Sequence, residues 1–96
     1  LYLVPLMVLL APFCEEFLFR GILFRGFRRT LSFPAAMLAS AALFALCHPA
    51  FSAPPVFVLG CAAAASFERT RLLAAPICAH VCYNAIVVVY QQLAGG

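Results

Sequence analysis

Six residues set the chemical problem in this chain. Glu15, Glu16 and Arg20 stand in the run EEFLFR, His48 closes FALCH, and His80 and Asn84 bracket HVCYN. Each lies in a stretch that is otherwise apolar. The chain has only three acidic residues, and two of them are adjacent here. A charged side chain at the centre of a bilayer costs roughly 2.5–3.5 kcal/mol on insertion scales, so these groups must be compensated or used. Glu16 and Arg20 are spaced i, i+4 with the acid on the N-terminal side, so they can pair along one helix face. Glu15 is then turned about 100° away and can face a cavity. One carboxylate reads as structural and the other as chemical. The competing reading is that all three only tie helices together.

A carboxylate, two imidazoles and a carboxamide in a membrane cavity suit the hydrolysis of a peptide bond. Glu15 can take a proton from water. A histidine can share that water or protonate a leaving amine. His and Asn donors can stabilise an oxyanion. Glu and His also ligate zinc, so a metal site stays open, although the HExxH pattern of zinc-protease helices is absent. A cysteine nucleophile is disfavoured: Cys14 and Cys47 neighbour Glu15 and His48 in sequence, but adjacent helical residues point about 100° apart. Intramembrane Glu and His also occur in proton relays of transporters, which is a further reading.

The elements that must position these groups are four apolar segments, at about 4–28, 34–48, 55–67 and 75–93. None alternates with period two, so all four are expected to be helices. Spanning segments in lipid satisfy their own backbone, which also favours helix. Pro34, Pro55 and Pro76 fall near segment starts, where a missing N–H is harmless. The second and third segments are short against the roughly 20 residues of a full span, so they are extended by their flanks or span only in part. Helix rise places Glu15 about 20 Å from the Arg28 end, His48 about 21 Å from Pro34, Asn84 about 20 Å and His80 about 14 Å from Arg71. Three helices thus bring the groups to one layer.

Composition fixes the class. Of 96 residues, 67% are hydrophobic and 9% charged, against about 25% charged in a soluble domain. So few charges cannot solvate a soluble surface. The expectation is an all-α integral membrane bundle of about four helices, a single domain over residues 1–96 that reads as a fragment of a larger membrane domain. The net charge of +3 comes from arginines alone. They do not form a polar, aromatic-interleaved face, so no nucleic-acid partner is expected. Arg25, Arg28 and Arg29 mark one loop, Arg69 and Arg71 another, and the loop PAFSAP between them is uncharged. By the positive-inside rule the arginine side is cytoplasmic. The five cysteines, Cys14, Cys47, Cys61, Cys78 and Cys82, lie in apolar stretches and read as small packing residues.

The ordered set EExxxR (Glu15, Glu16, Arg20), FxxxH (Phe44, His48) and HxxxN (His80, Asn84) resembles the CPBP family, the CAAX-processing and bacteriocin-processing intramembrane endopeptidases also called Abi proteins. The resemblance runs from Glu15 to Asn84. It implies a helical membrane core with the site inside the bilayer. Glu15 would activate water with His48, His80 and Asn84 would stabilise the oxyanion, and Glu16 and Arg20 would support them. It implies a substrate with a membrane-embedded or lipidated segment, in contact with the lipid bilayer. The family has been described both as metalloproteases and as glutamate proteases; no cofactor is expected here, with zinc the alternative. The arginine- and alanine-rich composition points to a bacterial inner (plasma) membrane. The competing class is a non-catalytic immunity or scaffold protein that uses the same groups as helix contacts.

Overall fold

The computed structural model describes residues 10–95, and these fold into four helices with no strand among them. Helix α1 is continuous but not uniform. It is α-helical over Ala11–Glu16, π-helical over Phe17–Phe24 and α-helical again over Arg25–Arg28. Helix α2 is Phe33–Leu46, α3 is Ala53–Thr70 and α4 is Ala74–Gly95. A single 3-10 turn, Ala50–Ser52, leads from α2 into α3. Residues 4–9 of the first expected segment lie outside the described residues.

The caps follow from sequence. Ser32 accepts a hydrogen bond from the Ala35 N–H at the start of α2, satisfying one of the first-turn donors that a helix leaves without a partner. Prolines occupy the first turns of α1, α2 and α3, where no N–H is needed. Helix α2 stops at Leu46, two residues short of the expected end at His48. Pro49 disfavours helical geometry in the residue before it, so His48 sits in the turn beyond the helix. The third segment is longer than expected. With its leading turn, the helical run Ala50–Thr70 has 21 residues and a mean hydropathy of 1.6; α4 has 22 residues and 1.3. Both are long enough to cross a bilayer. The flanks of the third segment supply the missing length, whereas α2 stays short at 14 residues.

Helices α2 and α3 pack most closely, and Gly60 is the reason. A Cβ at Gly60 would lie 3.1 Å from Cα and Cβ of Ala41 and 3.3 Å from the Phe44 ring. Ala41, Ala63 and Ala64 are fully buried around this approach. Small residues let backbones meet where lipid supplies no hydrophobic drive between helices. Two aromatic clusters fill the core. Near the arginine end Phe24 meets Phe33 and Phe67 edge to face, and nearer the middle Phe19 meets Phe44 at 5.1 Å between centroids.

The outside is as apolar as the inside. Phe13, Phe17, Val58, Ile86, Val89 and Leu93 are each more than half exposed. A soluble monomer rarely presents so continuous an apolar surface; a lipid-facing bundle must. The cysteines belong to this surface, contrary to the expected packing role. Cys14, Cys47, Cys78 and Cys82 are exposed and Cys61 is only partly buried. A cysteine behaves as a small hydrophobe, which a lipid-facing position accepts as readily as a core does. The bundle is an all-α membrane helical bundle.

Candidate active site

The site begins where α1 changes from α to π geometry. Glu16 is the last α-helical residue and Arg20 lies in the π-helical stretch. Both are completely buried. Arg20 Nε lies 3.2 Å from Glu16 Oε1, the pair expected from their spacing. The alignment is that of an ion pair rather than a linear hydrogen bond. Arg20 is held by two further contacts. Its Nη2 donates to the carbonyl of Gly60 at 3.1 Å, and its Cζ sits 4.7 Å above the Phe44 ring. The aromatic face gives partial compensation to a guanidinium whose Nη1 has no hydrogen-bond partner among the described residues.

His80 joins the two glutamates. It is 3% exposed on α4, with Nδ1 2.8 Å from Glu16 Oε2 and Nε2 3.2 Å from Glu15 Oε1. The chain Arg20–Glu16–His80–Glu15 therefore runs from the protein interior to an acid that is 37% exposed. Glu15 and Glu16 are adjacent in sequence, yet one faces inward and the other outward, because successive helical residues diverge by about 100°. Phe44 supports the arrangement from α2, with its ring edge to face with those of both His48 and His80, at 4.9 and 5.5 Å.

His48, though outside α2, is tied back to it. Its Nδ1 lies 2.8 Å from the Phe44 carbonyl. A carbonyl only accepts, so Nδ1 carries the proton and, in the neutral ring, Nε2 holds the lone pair. Glu15, His48, His80 and Asn84 line one cavity of about 320 Å3, completed by Ala11, Val87, Val88 and Gln91. Four of the six residues singled out in the sequence thus share a cavity, and the other two hold His80 and α3 behind it.

The donor set does not fit a zinc site. Among the described residues no group of three or more His, Cys, Asp or Glu side chains is arranged to hold a metal ion. The buried Arg20 guanidinium, paired directly with Glu16, makes a cation there costlier.

Three features were not evident from the sequence reading. Gly60 supplies the carbonyl that anchors Arg20; the signal for it was the small-residue run around Gly60 and Ala64, which marks close helix approach. The bridging role of His80 depends on a contact 64 residues away in the chain. The π-helical stretch has no local sequence mark, although such stretches recur at functional sites.

Comparison with known proteins agrees with this architecture. Residues 1–86 match the family model described as type II CAAX prenyl endopeptidase Rce1-like. The chain is 33% identical over 93 residues to the membrane-embedded CAAX protease MroQ of Staphylococcus aureus (strain USA300), covering 88% of this chain and 37% of that protein. It therefore spans under two fifths of the length of the curated relative it matches. No solved structure matches. A family match over most of the chain, on an apolar helical bundle whose polar groups converge in one place, makes the chain a member of the type II CAAX prenyl endopeptidase (Rce1-like) family.

Proposed function

We propose that the protein is an intramembrane endopeptidase in which Glu15 activates water for attack on a peptide bond. The observation that carries this is the cavity that Glu15 shares with His48, His80 and Asn84. Glu15 is the exposed end of a chain of charged groups. Water in the cavity reaches Glu15, while Glu16 and Arg20 are sealed from it.

The proton accounting gives each group a task. With Nδ1–H of His80 donating to Glu16, a second proton is needed between Nε2 and Glu15. In the form with that proton on the ring, Glu15 is an ionised base held in place by the imidazolium, and Glu16 supports the ring from the far side. When Glu15 accepts a proton from water, its hold on the Nε2–H weakens. The N–H is then available to the oxyanion forming on the substrate carbonyl, so the donor follows the charge. Asn84 supplies a second donor from the same face of α4, four residues on. His48, with its Nε2 lone pair, shares the attacking water or takes its proton on towards the leaving amine. Positioned base catalysis contributes about 10²–10⁴-fold, and one oxyanion donor about 10²–10³-fold.

No metal enters this scheme, in which Glu15 is itself the base. The substrate class we propose is a peptide or protein with a membrane-embedded or lipidated segment, since the site is reached among apolar helices in lipid. The relative from Staphylococcus aureus is described as membrane-embedded, and we place this protein in a bacterial plasma membrane. The test compares membrane-associated peptides from cells carrying the full-length protein with those from cells carrying Glu15→Ala. Uncut precursors confined to the variant are expected. Identical peptide profiles, with the biological phenotype lost in the variant, would replace the protease reading with the scaffold reading.

A further inference from the structure

The arginine end of the bundle carries a second polar feature that the hydrolytic scheme does not use. A cavity of about 250 Å3 is lined by Arg25, Arg28, Arg29, Arg71 and Glu68, over a floor of Phe24 and Phe67. Four guanidinium groups face one carboxylate. That carboxylate is already committed: Glu68 takes Arg28 through both oxygens, at 3.1 and 2.9 Å. Arg28 uses its remaining Nη1 on the Leu31 carbonyl. Arg71 gives its Nε to the Glu68 carbonyl. Arg25 and Arg29 form no ion pair among the described residues. Like charges gathered this closely repel unless an anion lies among them.

A second observation is independent of the charge count. Arg71 caps α3 in the left-handed conformation, with φ of 59°, as the single non-glycine residue with positive φ among those described. Glycine or asparagine is usual there, and a longer side chain is strained in that conformation. Backbone strain of this kind persists at sites where the side chain has a task. Here it keeps a guanidinium at the cavity rim. A neighbouring cavity of about 390 Å3 shares Arg25, Phe67 and Arg71 but is walled by Leu72 and Leu73, and Leu72 is 62% exposed. A charged cup that opens directly onto an apolar wall has the form of a phospholipid: phosphate in the cup, acyl chain along the leucines.

We infer that Arg25, Arg29 and Arg71 form a binding site for the phosphate of an anionic phospholipid, held at the arginine end of the bundle. A negative headgroup near a membrane surface gains from each basic side chain about as much as a fivefold change in binding. This is more than a topology marker. Arginines that only set orientation need no shared cavity and no strained backbone.

The test uses the full-length protein in nanodiscs of mixed phosphatidylglycerol and phosphatidylcholine, with the lipids that remain bound on release counted by native mass spectrometry. Wild type is expected to retain phosphatidylglycerol over phosphatidylcholine, and Arg25→Gln/Arg29→Gln to lower that preference more than tenfold. Arg71→Gly removes a guanidinium while relieving the left-handed strain. It is expected to melt no lower than wild type yet lose about fivefold in preference, which separates lipid binding from folding. Equal preference in wild type and the variants, or none in wild type, would overturn the inference and leave the arginines as orientation signals. A third arm adds inorganic phosphate to discs of phosphatidylcholine alone. Arginine-dependent protection by phosphate there would replace the lipid as occupant with a free anion.

Discussion

Two arginine–glutamate pairs, two helical turns apart along α1, show how the same chemistry is put to different use. Arg20 and Glu16 are completely buried, and the acid's other oxygen meets His80. Arg28 and Glu68 are partly exposed, with the better geometry of two parallel hydrogen bonds. Geometry alone would rank the second pair as the stronger. Environment reverses the ranking of consequence. A charge left alone in the interior cannot be rehydrated, whereas one at the surface can. The inner pair therefore holds His80 in place, and the outer pair only ties two helix ends.

This contrast breaks most sharply at Glu16. Glu16→Gln leaves Arg20 buried with no anion beside it, and leaves one acceptor oxygen where Arg20 and the His80 Nδ1–H now use two. Loss of one partner of a buried pair costs about 3–5 kcal/mol. A large fall in melting temperature of the full-length protein in detergent or nanodiscs is the expected reading. A variant that melts like wild type would show that the inner cluster does not hold the fold. Next in size is Gly60→Ala. The added methyl meets Ala41 backbone at 3.1 Å, and overpacking of this kind costs about 1–3 kcal/mol. It also shifts the carbonyl that Arg20 needs, so activity is expected to fall together with stability. Gly60→Ser, larger again, should be worse in both.

The outer pair is expected to respond little. Glu68→Gln should leave the melting temperature near that of wild type, with any difference shrinking as salt is raised, because partly exposed pairs are screened. If Glu68→Gln proved as damaging as Glu16→Gln, the argument from burial would fail.

Much of this was legible in the sequence, for reasons that can be named. Four apolar segments without period two gave four helices, since lipid leaves few other options. The i, i+4 spacing gave the Glu16–Arg20 pair, and depth counted from the arginines brought Glu15, His48, His80 and Asn84 to one layer, where the structure has them lining one cavity. What escaped was set by contacts between distant segments. Nothing near His80 announces that both its nitrogens meet carboxylates of α1. Nothing near Gly60 announces that its carbonyl receives Arg20. The cysteines were misplaced because the spans are apolar on every side. In such helices hydrophobicity does not separate the core face from the lipid face.

The smallest expected effect on stability, and the largest on chemistry, belong to Glu15. Its side chain is partly exposed and its neighbour already meets His80, so Glu15→Gln removes the proposed base and leaves the buried cluster whole. The central claim is that these adjacent carboxylates have separate tasks. The direct measurement is peptide cleavage and thermal melting of the full-length protein, wild type against Glu15→Gln and Glu16→Gln, in one membrane mimetic. The account predicts that Glu15→Gln melts close to wild type with cleavage reduced at least about 10²-fold, while Glu16→Gln melts far lower. Cleavage by Glu15→Gln at the wild-type rate would contradict it.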